Sequence, residues 1–322
     1  MRALRFDKTG SLGELVVRDV PAPKPGKEEV LIQIKAAAVN PSDIKNVLGR
    51  MHETTTPRTP GRDFAGVVAE GPTELVGRSV FGSGGNLGFG RDGSHAEFLV
   101  VPCEAALLMP KSLSFEQAAA VGLAYMTAWA ALVRGAQLEA GETALILGTT
   151  GAVGAAAAHL AHMLGARVLG TVRKKTDIPK PGTVPVDAWI DLETTDLALA
   201  ARNATSGKGA NVVLDVVGGP MFEKCLEALA YRGRQVAISS SSTPRVGFNL
   251  VDFYHKEARL IGVDTLKLSF AEAAEILHSL TPGIEQGDLP PPRVQSWPLE
   301  RGPEAYRQLE AGEIKSKVVL MP

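Results

Sequence analysis

Gly148, Gly151 and Gly154 stand at three-residue intervals between an apolar run, Ala144-Leu145-Ile146-Leu147, and an alanine-rich stretch from Ala152 to Leu164 closed by Gly165. Glycines at this spacing let a backbone turn tightly and come within contact of a pyrophosphate, while the helix that follows offers free N–H groups and a favourable dipole. Tight turns and helix packing use glycines too, so the reading rests on the order strand, glycine turn, helix. It makes Gly148, Thr150, Gly151, Ala152, Val153 and Gly154 candidate phosphate contacts of a dinucleotide.

The next apolar run decides which dinucleotide. An NAD site places an acidic residue at the end of that strand to accept the ribose hydroxyls. Here the run ends Gly170-Thr171-Val172-Arg173-Lys174-Lys175, with no acid before Asp177. Cations there suit a 2′-phosphate and point to NADPH, carried by Arg173 and Lys174. The plain alternative is a solvated charge run at a strand end. Val217-Gly218 and Ser239-Ser240-Ser241 lie at the carboxyl ends of later apolar runs, where open α/β sheets gather ligands. Each also reads as an ordinary loop.

These residues need a scaffold, and the chain supplies two textures. Val30 to Lys35, Asp63 to Glu70 and His95 to Val101 read as strands, with a glycine-dense loop from Gly82 to Gly93 between the last two. Ser114-Phe115-Glu116-Gln117 is a capping-box pattern that opens a helical run. From there strands alternate with helices: Arg167–Val172, Asn211–Asp215, Arg234–Ile238 and Arg259–Val263 are the further apolar runs. That alternation predicts βαβ units and a parallel sheet. Three prolines between Ile178 and Pro185 exclude a regular helix in the second crossover and leave a shortened crossover or surface loop. From Gln295 the texture returns to strand, helix and strand.

The 322 residues fit two domains. A formal net charge of −1 argues against a dedicated nucleic-acid binder. Cys103 and Cys225 cannot build a disulfide framework and fit a reducing compartment. The first eight residues hold no apolar core of a secretory signal. The apolar stretch from Ala118 to Val133 is interrupted by Gly122 and Thr127, too weak for a membrane span. The expectation is a soluble cytoplasmic protein.

Ala37-Ala38-Val39-Asn40-Pro41-Ser42-Asp43, Pro60-Gly61-Arg62-Asp63-Phe64-Ala65-Gly66-Val67-Val68, Ala124 to Trp129, the glycine turn and Asp215-Val216-Val217-Gly218-Gly219 follow one another in a familiar order. With them the sequence resembles the medium-chain dehydrogenase/reductase superfamily, in its zinc-independent quinone oxidoreductase and enoyl reductase branch. The resemblance implies an α/β protein: a Rossmann doubly wound parallel sheet inserted into a GroES-like β-barrel substrate domain. It places the substrate domain at 1–119 and 261–322 and the nucleotide domain at 120–260. Zinc-dependent relatives carry a cysteine and a histidine where this chain has Asn40 and Arg62. An amide and a guanidinium cannot complete a tetrahedral zinc site, so no metal is expected. His159, His162, His95 and His255 read as surface or satisfied histidines rather than ligands.

The resemblance also marks residues near the chemistry. Asn40 reads as a helix N-cap ahead of Pro41 and Asp43, as a nicotinamide or substrate contact, or as both. Lys45 stands where relatives carry a tyrosine or a lysine near the substrate, and equally reads as a solvated helix lysine. Tyr125 lines the cleft or is core. Thr127 faces the nicotinamide end or bonds to its own helix. Asn40, Lys45 and Tyr125 are thus the catalytic candidates. Thr127, Val217, Ser239 and Ser240 join the glycine turn, Arg173 and Lys174 as cofactor candidates. The implied activity is NADPH-dependent hydride transfer to a quinone or to the C=C bond of an α,β-unsaturated carbonyl. The implied partners are a small electrophilic substrate and a second copy of the chain through Arg259–Val263. A nucleotide-binding redox sensor or structural protein without turnover is the rival.

Overall fold

Strand Glu29–Ala38 organises the first part of the chain. Val30, Ile32 and Ile34 point into a core with Phe64, Val68, Val80, Leu99 and Val101, while Gln33 faces solvent. This is the period-2 pattern of a strand with one covered face. The structure, a computed structural model, describes residues 1–240 and 243–322. Ser241, named above with the serine run, lies outside the described residues. The chain divides into two compact units. One holds Met1–Leu123, Leu266–Gln286 and Pro290–Pro322, the other Ala124–Thr265 and Gly287–Leu289.

In the first unit a seven-stranded sheet runs Val294–Pro298, Lys317–Met321, Glu29–Ala38, Phe64–Glu70, Ser79–Gly82, Leu107–Leu108, with Phe98–Pro102 also on Glu29–Ala38. The central strand can take three neighbours because they share its length. Phe98–Pro102 pairs with its beginning, Phe64–Glu70 along its middle, and Lys317–Met321 with Ala37 and Ala38 at its end. The third expected strand starts at Phe98 rather than His95. His95 is fully buried and Ala96 instead makes an isolated bridge to Ala3.

The glycine-dense segment is packed rather than loose. A Cβ on Gly93 would lie 2.2 Å from the Gly61 carbonyl oxygen, and one on Gly88 would lie 2.9 Å from the Gly61 nitrogen. Glycines here allow backbone to lie on backbone.

In the second unit six parallel strands run in the order Ala188–Asp191, Arg167–Val172, Thr143–Ile146, Ala210–Asp215, Leu229–Ala237, Arg259–Gly262. The chain crosses one way from Thr143–Ile146, then back past it to Ala210–Asp215. The order therefore reverses between these two strands, and their carboxyl ends form the crevice of a doubly wound sheet. Helix Ala152–Met163 makes the first crossover and ends at Gly165, with φ +79°. The second crossover carries only a short turn, Lys175–Asp177, before an edge strand, Ala188–Asp191, that the sequence reading did not resolve.

Ser114 and Gln117 form the expected capping box, each side chain accepting the other's backbone N–H at 3.3 and 3.0 Å. The helix they open, Phe115–Trp129, continues into a wider turn to Gly135. It is long and apolar enough to cross a membrane by composition alone, but 78 % of its apolar window is buried, as in a core helix. Residues Leu250–His255 form a short helix whose cap, Asn249, accepts the N–H groups of Val251 and Asp252.

Candidate functional site

The dinucleotide half lies in the second unit. Strand Thr143–Ile146 runs into Gly148, whose φ of +61° is the left-handed conformation that favours glycine. Gly151 caps the helix Ala152–Met163. Gly154 answers a different need: a Cβ there would lie 2.2 Å from the Gly148 carbonyl oxygen. The first helical turn therefore packs directly on the glycine turn, and Thr150, Gly151 and Ala152 stay exposed. Two hydroxyls that the sequence reading did not single out lock this cradle. Thr149 Oγ1 donates to the Ile146 carbonyl at 2.7 Å and accepts the Thr171 N–H at 2.8 Å. Thr171 Oγ1 accepts the Gly148 N–H at 3.1 Å.

The strand beside the turn ends at Val172, and Arg173, Lys174 and Lys175 follow it, all exposed. Lys174 pairs with Glu193 at 3.3 Å, both largely in solvent. Across the crevice, the buried carboxylate of Asp215 accepts the N–H groups of Val217 and Gly218 at 3.0 and 2.7 Å. This folds back the chain after strand Ala210–Asp215 and leaves Val217 38 % exposed. Gly218, with φ +67°, passes so close to the next loop that a Cβ would lie 2.8 Å from the Ser239 carbonyl oxygen. Val217, Gly218 and Ser239 are thus brought together, and Ser240 Oγ donates to the Thr243 carbonyl at 3.3 Å. The cradle fits a dinucleotide phosphate: a bare turn, a helix N-terminus with exposed residues, and cations past the adjacent strand. Thr127 and Tyr125 lie in helix Phe115–Trp129, 7 % and 2 % exposed. Burial pushes the Tyr125 hydroxyl well above its ordinary pKa, so it holds its proton.

The first unit holds a buried polar cluster. Asn40 is the N-cap of helix Pro41–Val47, with Pro41 in its first turn, and its backbone N–H bonds to Asp43 Oδ2 at 2.8 Å. Its carboxamide is held from two sides. Nδ2 donates to Asp63 Oδ2 at 2.8 Å, and the ammonium of Lys317 donates to Oδ1. Lys317 Nζ is also 3.8 Å from Asp63 Oδ2. Asp63 Oδ1 accepts the Leu123 N–H at 2.8 Å. Asn40, Asp43, Asp63, Arg62 and Lys317 are all buried. Burial lowers the Lys317 pKa and raises that of Asp43 to about 6. Lys45 lies on the same helix, half-buried.

His95 is a satisfied core histidine. Nε2 meets the Ala38 carbonyl at 3.2 Å, the Tyr306 hydroxyl meets Nδ1 at 2.9 Å, and burial lowers its pKa to about 4. His159 is partly buried with its pKa lowered, chiefly by that burial, and His255 packs edge-on against Tyr254. Sequence reasoning missed Lys317 and Asp63 as members of the cluster. It also missed Ser42 and Ser83, whose hydroxyl oxygens are buried without a hydrogen-bond partner among the described residues.

Comparison with known proteins sets this geometry in a family. Residues 26–111 match the alcohol dehydrogenase GroES-like domain, and residues 152–279 match the zinc-binding dehydrogenase domain. The chain is 35 % identical to a zinc-type alcohol dehydrogenase-like protein of Schizosaccharomyces pombe, over 89 % of this chain and 85 % of that one. It is 29 % identical to the human quinone oxidoreductase over 100 % and 98 %. A mycobacterial structure complexed with NADPH superposes with a TM-score of 0.88 at 26 % identity, covering 100 % of both chains. The protein belongs to the quinone oxidoreductase branch of the medium-chain dehydrogenase/reductase superfamily, NAD(P)H-dependent oxidoreductases with a GroES-like domain and a Rossmann sheet.

The zinc in one family description does not carry over to these residues. At the positions where zinc relatives have cysteine and histidine, this chain has an amide whose oxygen takes the Lys317 ammonium, and a guanidinium. Neither is a zinc ligand of the usual kind.

Proposed function

We propose that this protein is an NADPH-dependent, metal-free reductase of quinones or of the C=C bond of α,β-unsaturated carbonyls. The observation that carries the reading is the glycine cradle at the sheet's reversal point, followed across one strand by exposed Arg173 and Lys174. When bound, the dinucleotide supplies a hydride from its nicotinamide ring to the electrophilic carbon, and water supplies the proton that completes the reduction.

Arg173 and Lys174 hold the 2′-phosphate. The exposed Lys174–Glu193 pair is worth only about 0–1 kcal/mol, so the phosphate displaces Glu193 at little cost. Thr150, Gly151 and the N–H groups of Ala152 and Val153 face the pyrophosphate, the Gly151 N–H itself being held by the Gly148 carbonyl at 2.9 Å. Thr127, Val217, Ser239 and Ser240 serve the nicotinamide end. Charge that develops on the substrate oxygen needs a donor close by. Asn40, Lys45 and Tyr125 are the donors assigned to that task, with 1–119 and 261–322 as substrate domain and 120–260 as nucleotide domain. The working form is a cytoplasmic homodimer: edge strand Arg259–Gly262 leaves Leu260 exposed, and Tyr231 and Tyr254 of the same unit are exposed too.

The test is NADPH consumption against a panel of quinones, enals and enones. Tight NADPH binding with no turnover on any of them would favour a sensor instead. Arg173→Ala and Lys174→Ala should each weaken NADPH binding about 10- to 100-fold, the worth of one charged hydrogen bond. NADH affinity should stay unchanged; equal losses for both cofactors would move the phosphate elsewhere. Lys45→Met should lower kcat about 10- to 100-fold with NADPH affinity intact, as the loss of a favourable charge near the developing oxyanion would. An unchanged kcat with one quinone and one enone would return Lys45 to the helix surface.

A further inference from the structure

The register of the first unit's sheet sets two distant residues around one carboxamide. Strand Glu29–Ala38 ends two residues before Asn40. On one side lies strand Lys317–Met321, tied to it by the Val39 N–H bond to the Val318 carbonyl at 3.0 Å. Lys317 therefore starts beside Asn40. On the other side strand Phe64–Glu70 pairs Ala65 with Ala36, so Asp63 comes up beside the same end. The side chains complete what the register begins: ammonium on Oδ1, carboxylate on Nδ2, both buried.

Burying a lysine is costly, and one apolar residue could fill its place, so the charge calls for a reason beyond packing. An Asn side chain has two nearly isosteric ends, and only its partners decide which way it points. A cation accepts no hydrogen bond, and an ionised carboxylate donates none. Lys317 and Asp63 together therefore permit a single orientation of Asn40. The cation on Oδ1 also draws electron density from the amide and strengthens the Nδ2 hydrogens as donors. One of those hydrogens goes to Asp63, and the second has no partner among the described residues.

We propose that Lys317, with Asp63, is a positioning residue that orients and polarises Asn40 so that its second Nδ2 hydrogen is presented as a hydrogen-bond donor to the substrate's developing oxyanion. The catalytic part of this rests on the reductase reading; the orienting part does not. In this chain an ammonium fixes and charges the position where zinc relatives have a metal ligand. Lys317 acts through Asn40 and touches no reacting atom.

Lys317→Met alone strands a buried carboxylate and can unfold the unit. The informative variant is Lys317→Met with Asp63→Asn, which removes both charges together and should stay folded, since neutral replacement of a buried pair is often tolerated. Lys317→Arg is the conservative control. Two readouts are taken with NADPH as cofactor and benzoquinone or methyl vinyl ketone as acceptor. The first is kcat beside NADPH affinity: the double variant should lose about 10- to 100-fold in kcat with NADPH affinity unchanged, and Lys317→Arg should recover most of it. The second is NMR hydrogen exchange of the Asn40 Nδ2 protons, assigned by Asn40→Asp. They should be protected in the parent and in Lys317→Arg, and exchange at least about tenfold faster in the double variant as its carboxamide turns freely. A folded double variant with parental kcat and parental Asn40 protection would overturn the proposal. If the parent turns over neither acceptor, the reductase reading fails by itself, and Asn40 protection still decides whether Lys317 orients it.

Discussion

Gly154→Ala should cost both stability and cofactor, whereas Gly151→Ala should cost cofactor alone. The two glycines sit one helical turn apart and meet different neighbours. A Cβ on Gly154 would lie 2.2 Å from the Gly148 oxygen and 2.8 Å from Thr149 Cα, all backbone that cannot swing aside. The helix would have to move off the turn, at a cost of about 1–3 kcal/mol, the usual range for overpacking. Thr149 and Thr171 tie that turn to two strands, so the shift cannot be absorbed there. With the helix displaced, its N-terminal N–H groups no longer converge on the phosphate, and NADPH binding should weaken more than about 100-fold, the loss of two charge-assisted hydrogen bonds. Gly151 differs. Its φ and ψ are −81° and 167°, open to any residue, and among the described residues its Cβ would meet the Gly148 oxygen alone, at 3.2 Å, a tight contact relieved by a shift of a few tenths of an ångström and far milder than that at Gly154. Any penalty should therefore appear against the bound phosphate. Thermal unfolding without cofactor, and NADPH titration of each variant, separate the two. Equal apo stability of Gly154→Ala and the parent would refute the packing role of Gly154.

The contrast between these glycines shows what the sequence could carry. Their spacing was legible because strand, turn and helix are contiguous, and local order is what a linear pattern records. The parallel sheet was legible for the same reason: each strand is a short apolar run bounded by helix signals. Strand Ala188–Asp191 was not. It has four residues, ends in an aspartate and follows three prolines, so only pairing with Arg167–Val172 makes it a strand. The glycines from Gly82 to Gly93 suggested a loop, but two of them serve close approach to Gly61, a contact no local pattern contains. The buried cluster was least legible. Lys317 opens the run Lys317-Val318-Val319-Leu320, and a lysine there reads as a charge flanking a strand. Its burial follows from register with strand Glu29–Ala38, which sets it beside Asn40, 277 residues earlier in the chain. His95 likewise meets Tyr306 across 211 residues. Asn40 as a helix cap could be read; its two charged clamps could not.

Asp43 should make the protein less stable at neutral pH than at mildly acid pH, and Asp43→Asn should remove that loss. Its carboxyl is fully buried, and Oδ1 has no hydrogen-bond partner among the described residues. Oδ2 accepts the Asn40 N–H that makes it part of the helix cap. Burial raises its pKa from 3.8 to about 6; the nearby carboxylate of Asp63 adds to this, and Arg62 and Lys317 oppose it. The Tyr306 hydroxyl, which feels the same carboxylate, stays protonated throughout. The folded state thus binds the Asp43 proton more tightly than the unfolded state. That contribution is complete below pH 3.8 and is lost as pH rises through about 6. A pKa displaced this far corresponds to about 3 kcal/mol as an order of magnitude. Half-buried carboxylates such as Glu29 and Glu97, whose pKa values are lowered by arginine partners and backbone N–H groups, act in the opposite direction below their ordinary range. The quantity to measure is therefore the difference between variant and parent. Asparagine keeps an oxygen for the Asn40 N–H and carries no charge at any pH. Urea unfolding at several pH values should show Asp43→Asn near the parent at pH 4 and about 1–3 kcal/mol more stable above pH 7. A difference that does not change with pH would mean that folding leaves the Asp43 pKa unshifted, and would refute the prediction.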